Sequence, residues 1–90
     1  MEFEWDEAKR LVNAAKHGLD FRRAVLLFMA PHIVGSARNS GGEMREMITG
    51  RLDDVSVTIV FTRRGTVIRI ISMRRARRGE RQQYQALFGH

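Results

Sequence analysis

Residues 55–73 read Val-Ser-Val-Thr-Ile-Val-Phe-Thr-Arg-Arg-Gly-Thr-Val-Ile-Arg-Ile-Ile-Ser-Met, and this stretch decides the fold. Val55 to Thr62 is β-branched or apolar almost throughout, which is typical of a strand, and Thr66 to Met73 repeats the pattern. Arg64-Gly65 lies between the two runs and fits a hairpin turn. Because both runs are nearly continuously apolar, we predict two strands at the centre of a sheet, covered at least in part on both faces.

The segment before this hairpin predicts two helices. Asp6 is a good N-cap for apolar residues at helical spacing, and Gly18 is a natural helix end. Asp20 caps a second predicted helix from Phe21 to about Met29. The remaining elements predicted are strands at residues 3–5, 32–34 and 43–52, a loop from Ser36 to Gly42, and a terminal helix from Ala76.

These elements predict one α+β domain over residues 1–90. Two N-terminal helices and a C-terminal helix would pack on a mainly antiparallel sheet. The sequence has no cysteine, which excludes disulfides, a thiolate nucleophile and a cysteine-based zinc site. The longest apolar run, residues 24–30, is far too short to span a bilayer, and the acidic N-terminus does not resemble a secretory signal. We therefore expect a cytoplasmic protein with no membrane contact.

The positive charge is concentrated in the last part of the chain. Residues 1–54 hold eight basic and nine acidic residues, whereas residues 55–90 hold eight arginines and one acidic residue, Glu80. Guanidinium groups bind phosphate through paired hydrogen bonds, so this distribution favours a polyanionic partner. A solvated arginine face and an acidic protein partner are the alternatives.

Arg69 and the arginines after Met73 are the candidates for chemistry. Arg69 interrupts an apolar strand, so it must face solvent, line a cleft or meet a carboxylate, for which Glu43 and Glu46 are the candidates. Regular alternation along the strand would put Arg69 and Arg74 on opposite faces, unless the chain turns near Met73. The arginines that crowd the junction with the final helix are Arg74, Arg75, Arg77, Arg78 and Arg81.

Such a cluster suits RNA cleavage without a metal or a cofactor. The RNA supplies its 2′-OH as the nucleophile, and guanidiniums stabilise the charge on phosphorus. The residues that could move protons are Lys16, His17, Glu80 and Tyr84. The sequence has no pattern typical of a metal site or of a catalytic triad.

The spacing of these residues resembles the BrnT-type toxins over nearly the whole chain. The residues that carry the resemblance are Phe3 to Asp6, Lys9, Asn13, Lys16 to Gly18, Phe21, Ala24, Phe28, Thr62, Arg64, Gly65, Ile68 to Ser72, Arg74, Ala76, Glu80, Arg81 and Tyr84. The resemblance implies a RelE-like fold and a type II toxin that cleaves RNA and halts translation. It also implies a BrnA-type antitoxin, a hetero-oligomeric complex, and contact with DNA only through that antitoxin.

The resemblance also suggests roles for particular residues. Arg64, Arg69, Arg74 and Arg81 match recurring basic positions, and Arg45 matches an arginine ahead of a glycine in the middle strand. We expect catalysis from Arg64, Arg69 and Arg74, with Lys16 or His17 for proton transfer. The residues expected to bind RNA are Arg45, Arg75, Arg77, Arg78 and Arg81. Tyr84, Leu87 and Phe88 are expected to form an exposed apolar strip that docks the antitoxin.

Two other functions remain open at this point. The chain could be a non-catalytic basic subunit of a DNA-binding toxin–antitoxin repressor complex, with a surface that binds phosphate without turnover. It could also be an interaction module whose arginines only bind an acidic antitoxin segment. Cleavage of RNA would distinguish the ribonuclease toxin from both of these alternatives.

Overall fold

A computed structural model describes residues 1–36 and 41–89 of the chain. It shows an α+β fold in which helices flank a five-stranded sheet. The helices are α1 (Glu7–His17), α2 (Ala24–Met29) and α3 (Arg78–Phe88), and the strands are β1 (Glu2–Glu4), β2 (His32–Ser36), β3 (Glu46–Leu52), β4 (Val55–Arg64) and β5 (Val67–Arg75). In the part of the predicted loop that is described, Ser36 ends β2 and Gly41 and Gly42 form a turn, while residues 37–40 lie outside the described residues.

The predicted hairpin is confirmed and lies inside the sheet. The strand order is β1-β5-β4-β3-β2, so β4 and β5 both have a neighbour on each side. The sheet is mixed, which corrects the predicted mainly antiparallel arrangement: β1 pairs parallel with β5, whereas the other neighbours pair antiparallel. The parallel pairing is possible because the long stretch between β1 and β5 returns the chain to the same end of the sheet.

The helix prediction also needs correction. The strand predicted at residues 3–5 is found as β1 ahead of α1, but residues 21–29 do not form the one continuous second helix that was predicted. A 3-10 turn, Phe21–Arg23, follows the N-cap Asp20 and leads into the short α2. Helix α1 has the predicted ends, because the Asp6 side chain accepts a hydrogen bond from the backbone N–H of Lys9 and Gly18 adopts a left-handed conformation.

The core lies on the face of the sheet that the 3-10 turn and α2 cover. Its fully buried residues come from these two segments and from the three central strands: Phe21, Ala24, Leu27, Ile48, Val57, Ile59, Phe61, Ile68, Ile70 and Met73. Gly50 allows α2 to approach β3, because a Cβ atom there would lie 2.9 Å from Leu27 Cδ1 and 3.0 Å from the carbonyl oxygen of Pro31. The opposite face of the sheet is therefore left for polar side chains and for α3.

Asn13 fastens α1 to β5 beyond the end of β1. Its amide nitrogen donates to the carbonyl oxygens of Leu19 and Met73, at 3.0 and 2.9 Å, and its Oδ1 accepts from the Met73 N–H at 3.3 Å. Asn13 is buried, so these bonds satisfy polar groups that water does not reach. They fix the position of α1 beside the part of β5 that leads to the arginine cluster.

Candidate functional site

A cleft of about 390 Å³ opens on the face of the sheet opposite the core. We call it the arginine cleft; its lining residues are Ser36, Arg45, Met47, Val60, Ser72, Arg74 and Arg77. Three of these seven side chains are guanidiniums and none is acidic. Such a lining favours an anionic ligand.

A β-bulge brings the arginines of β5 to this face. Val60 pairs with Ser72 and Phe61 pairs with Ile70, so Ile71 is left without a partner on β4. Arg69 and Arg74 consequently oppose Thr62 and Thr58, which are four residues apart on β4 and share a face. The expectation of opposite faces is therefore wrong, and the cause is a bulge at Ile71 rather than a turn near Met73.

Arg74 forms a bidentate ion pair with Glu80. Its Nη1 donates to Oε1 of Glu80 at 2.8 Å and its Nη2 donates to Oε2 at 2.9 Å. Nη1 also lies 3.3 Å from the carbonyl oxygen of Arg75. A guanidinium has five N–H groups. Within the described part of the chain these contacts use three of them, so Arg74 can still donate to a ligand in the cleft.

Glu80 has two further donors. The Thr58 hydroxyl donates to Oε1 at 2.9 Å, and the backbone N–H of Arg77 donates to the same oxygen at 2.8 Å. The hydrogen bonds from Arg74, above all, hold the pKa of Glu80 at about 2, against the opposing effect of burial. A carboxylate with this pKa is a poor general acid or base near neutral pH, so Glu80 holds Arg74 in position rather than moving a proton.

Arg45 is the residue of the arginine cleft whose guanidinium has a buried N–H without a partner among the described residues. Its Nε is buried without a hydrogen-bond partner, and Arg45 forms no ion pair within residues 1–36 and 41–89. An unpaired buried N–H of a charged group is costly, and an anion in the cleft would remove that cost. Arg45 is thus the lining residue that most favours an anionic ligand in the cleft.

Two of the three arginines expected to act in catalysis lie outside the cleft lining. Arg69 forms a salt bridge with Glu4 at 3.0 Å, and Arg64 forms one with Glu43 at 3.2 Å. The carboxylate alternative for Arg69 is therefore found, although the partner is on β1 rather than at Glu43 or Glu46. The structure thus brings Arg74 together with Arg45 and Arg77, not with Arg64 and Arg69.

The other arginines that were expected to bind RNA lie near the start of α3. Arg75, Arg77 and Arg78 are exposed, and none of the three forms an ion pair in the described part of the chain. Arg81 is directed to the backbone, where its Nη1 donates to the carbonyl oxygen of Ala76 at 2.6 Å. Arg75, Arg77 and Arg78 are consequently available to a polyanion beside the cleft.

Lys16 and His17 line a second cleft of about 370 Å³ between α1 and β5. We call it the α1 cleft; its lining residues are Ala8, Lys9, Val12, Asn13, Lys16, His17, Ile71 and Ser72. Ser72 lines both clefts, so they adjoin on β5. Lys16 and His17 were candidates from the sequence but Ser72 was not, because the contact of α1 with the bulge leaves no pattern in the sequence.

The expected exposed strip on α3 needs correction. Tyr84 is only 5% exposed and its ring packs on Phe88, with 4.8 Å between the centroids, whereas Leu87 is 67% exposed. Tyr84 faces the interior because the buried Ala76 and the Glu80 contacts fix the rotation of α3 on the sheet. Leu87 is therefore the member of the set that is open to a partner, and Tyr84 is remote from solvent as a proton donor.

The described residues bring together no group of three or more histidine and carboxylate side chains that could hold a metal ion. In the same residues, no helix is both long and apolar enough to cross a membrane.

The fold and the cleft together define a small basic α+β protein with a cleft whose lining favours an anionic ligand. Comparison with protein families then gives the class: the family of ribonuclease toxins named BrnT, of type II toxin–antitoxin systems, matches residues 5–80. The chain therefore belongs to the BrnT family, and this membership implies an antitoxin partner. No curated protein matches the sequence. The matched range includes every residue of the arginine cleft and of the α1 cleft.

Proposed function

We propose that this chain is a metal-independent endoribonuclease that cuts RNA, blocks translation and is neutralised by a BrnA-type antitoxin. The observation that carries the proposal is the buried Nε of Arg45, which has no partner among residues 1–36 and 41–89, in a cleft that also holds Arg74 and Arg77. These guanidiniums would bind the scissile phosphate, because three cations around one cleft stabilise the extra negative charge of a pentavalent phosphorus.

The reaction needs no nucleophile from the protein. The 2′-oxygen of the RNA attacks the adjacent phosphorus as the bond from phosphorus to the 5′-oxygen breaks, which leaves a 2′,3′-cyclic phosphate and a 5′-hydroxyl. One proton leaves the 2′-OH and one reaches the departing 5′-oxygen. His17 or Lys16, beyond Ser72 in the α1 cleft, would transfer these protons.

The other arginines would seat the RNA backbone. Arg75 and Arg78 are exposed beside Arg77, and Arg64, Arg69 and Arg81 would add positive charge around them. Because Arg64 and Arg69 already meet carboxylates, their contribution to RNA binding would be smaller than that of Arg45 or Arg77. Leu87 would contact the antitoxin, and DNA would be reached only through the antitoxin in a hetero-oligomeric complex.

A purified-protein assay on RNA tests this function. Wild type should cleave RNA, alone or with ribosomes present, and Arg74→Ala should cleave far more slowly. Arg23→Ala is a matched control, because Arg23 pairs with Asp53 at an exposed position outside both clefts. No cleavage by wild type under either condition would contradict the proposal. Retarded duplex DNA without RNA products would instead favour the repressor-subunit function.

A further inference from the structure

The α1 cleft has the shape and the lining of a second binding site beside the arginine cleft. Apolar side chains of both walls line it, Ala8 and Val12 from α1 and Ile71 from β5. Val12 is 66% exposed although it lies in this concave, largely apolar place. A partly apolar concavity with a few polar groups at its rim is the usual form of a small-ligand site.

The walls of the α1 cleft are fixed by the fold. Asn13 ties α1 to both backbone groups of Met73, at 2.9 and 3.3 Å, and this contact lies two residues from Ile71. Ile71 is the bulged residue of β5, and so it is free of the regular alternation that directs the other side chains of that strand. The cleft therefore has a preformed shape and does not need to be opened by a ligand.

The rim of the α1 cleft is cationic. Lys9 and Lys16 supply the positive charge, His17 lies next to Lys16 in the chain, and no acidic residue is among the lining side chains named above. The cleft meets the arginine cleft at Ser72. A ligand that fills both clefts would thus be apolar at one end and anionic at the other, with negative charge near the rim as well.

From this continuity we infer that the α1 cleft binds one nucleobase of the RNA whose phosphate lies in the arginine cleft; this inference rests on the proposed function. An unstacked base presents an apolar face to Val12 and Ile71 and hydrogen-bonding edges to the Ser72 hydroxyl and the rim. Its flanking phosphates meet Lys9 and Lys16 on one side and the arginines on the other. The α1 cleft would then determine which nucleotide lies beside the cut.

The first test measures base binding without cleavage. Methyl resonances of Val12 and Ile71 are followed by NMR while the full-length protein is titrated with each of the four nucleoside 5′-monophosphates. Ribose 5-phosphate is the control for the phosphate and sugar. We expect saturable shifts of both residues with at least one nucleotide and none with ribose 5-phosphate. Equal shifts with ribose 5-phosphate, or no shifts with any nucleotide, would overturn the inference.

The second test places a larger side chain in the α1 cleft. Val12→Trp should weaken nucleotide binding by about tenfold, which corresponds to about 1.4 kcal/mol, and should change the sequence at the cut sites mapped in RNA. Leu11→Trp is the matched control, because Leu11 is 57% exposed on the same helix but does not line the cleft. Unchanged nucleotide binding in Val12→Trp would refute the base site.

The two proposals can fail separately. If wild type cleaves no RNA but the nucleotides still shift Val12 and Ile71, the proposed function fails and base binding stands. If wild type cleaves RNA with the same cut sites in Val12→Trp and Leu11→Trp, the function stands and the inference fails. Loss of antitoxin binding in Val12→Trp with unchanged nucleotide binding would assign the α1 cleft to the protein partner and would also overturn the inference.

Discussion

Arg74 and Glu80 form a bidentate ion pair at the edge of the arginine cleft, with N–O distances of 2.8 and 2.9 Å. Both side chains are largely buried, at 18% and 16% exposure. Glu80 lies in the first turn of α3, so the pair also fixes the start of that helix on the sheet. One contact therefore orients a guanidinium in the cleft and contributes to the stability of the fold.

This relationship predicts a stability that depends on pH. The pKa of Glu80 is lowered from 4.5 to about 2, so the ionised carboxylate stabilises the folded state above the unfolded-state pKa, and this stabilisation is lost as pH falls toward 2. We expect Glu80→Gln to lower the free energy of unfolding by about 1–3 kcal/mol at pH 7. Denaturant titrations at pH 7, 5, 4 and 3 measure the difference between the two proteins.

The control for this experiment is Glu46→Gln. Glu46 pairs with Arg63, whose side chain is 57% exposed, and the stability should change little because exposed pairs contribute little. The difference between wild type and Glu80→Gln should shrink as pH falls from about 5 toward 2. A difference that stays constant over this range would contradict the assigned role of the Glu80 carboxylate.

Asn13 should be a stability residue rather than a catalytic one. Asn13→Ala removes three hydrogen bonds, and the backbone groups of Met73 would lose their side-chain partner. We expect a loss of about 2–4 kcal/mol in the free energy of unfolding, measured by urea denaturation. Leu11→Ala, on the exposed face of the same helix, should cost less than about 1 kcal/mol. Equal effects of the two substitutions would contradict this role.

The arginines should differ in their effect on the salt dependence of RNA binding. Each phosphate contact that is removed should reduce the slope of log K against log salt concentration by about 0.7 for single-stranded RNA. Arg77→Ala should show this reduction, because Arg77 lines the cleft and is exposed. Arg23→Ala should leave the slope unchanged. Fluorescence anisotropy at several salt concentrations, with a labelled RNA that carries 2′-deoxy substitutions to prevent cleavage, measures both slopes.

An unchanged slope in Arg77→Ala would remove Arg77 from the phosphate site. A reduction of the same size in Arg23→Ala would show that RNA binds over the whole surface, with no preference for the arginine cleft.

The central hairpin and the ends of α1 could be predicted from sequence, because they depend on local patterns. The β-branched runs of β4 and β5, the cap at Asp6 and the stop at Gly18 each reflect the conformational preference of a few neighbouring residues. The parallel pairing of β1 with β5 depends on residues more than 60 positions apart, and no local pattern indicates it.

A site formed by arginines could be predicted from the sequence, but which arginines line the arginine cleft could not. The charge distribution points to residues 55–90, and Arg74 and Arg77 do lie in the cleft. The bulge at Ile71 reverses the face of Arg74 relative to regular alternation, and a single bulged residue leaves no clear mark in the sequence. The carboxylates that bind Arg64 and Arg69 come from other elements of the fold, which local patterns do not reveal.

The rate of RNA cleavage by Arg45→Gln, compared with Arg23→Gln under the same conditions, tests the central claim most directly. Arg45 carries a buried Nε with no hydrogen-bond partner in the part of the chain that the structure describes, whereas Arg23 already has a partner in Asp53. We expect Arg45→Gln to cleave at least about a hundredfold more slowly, as for loss of one transition-state donor, and Arg23→Gln to match wild type. Equal rates for the two variants would contradict the account.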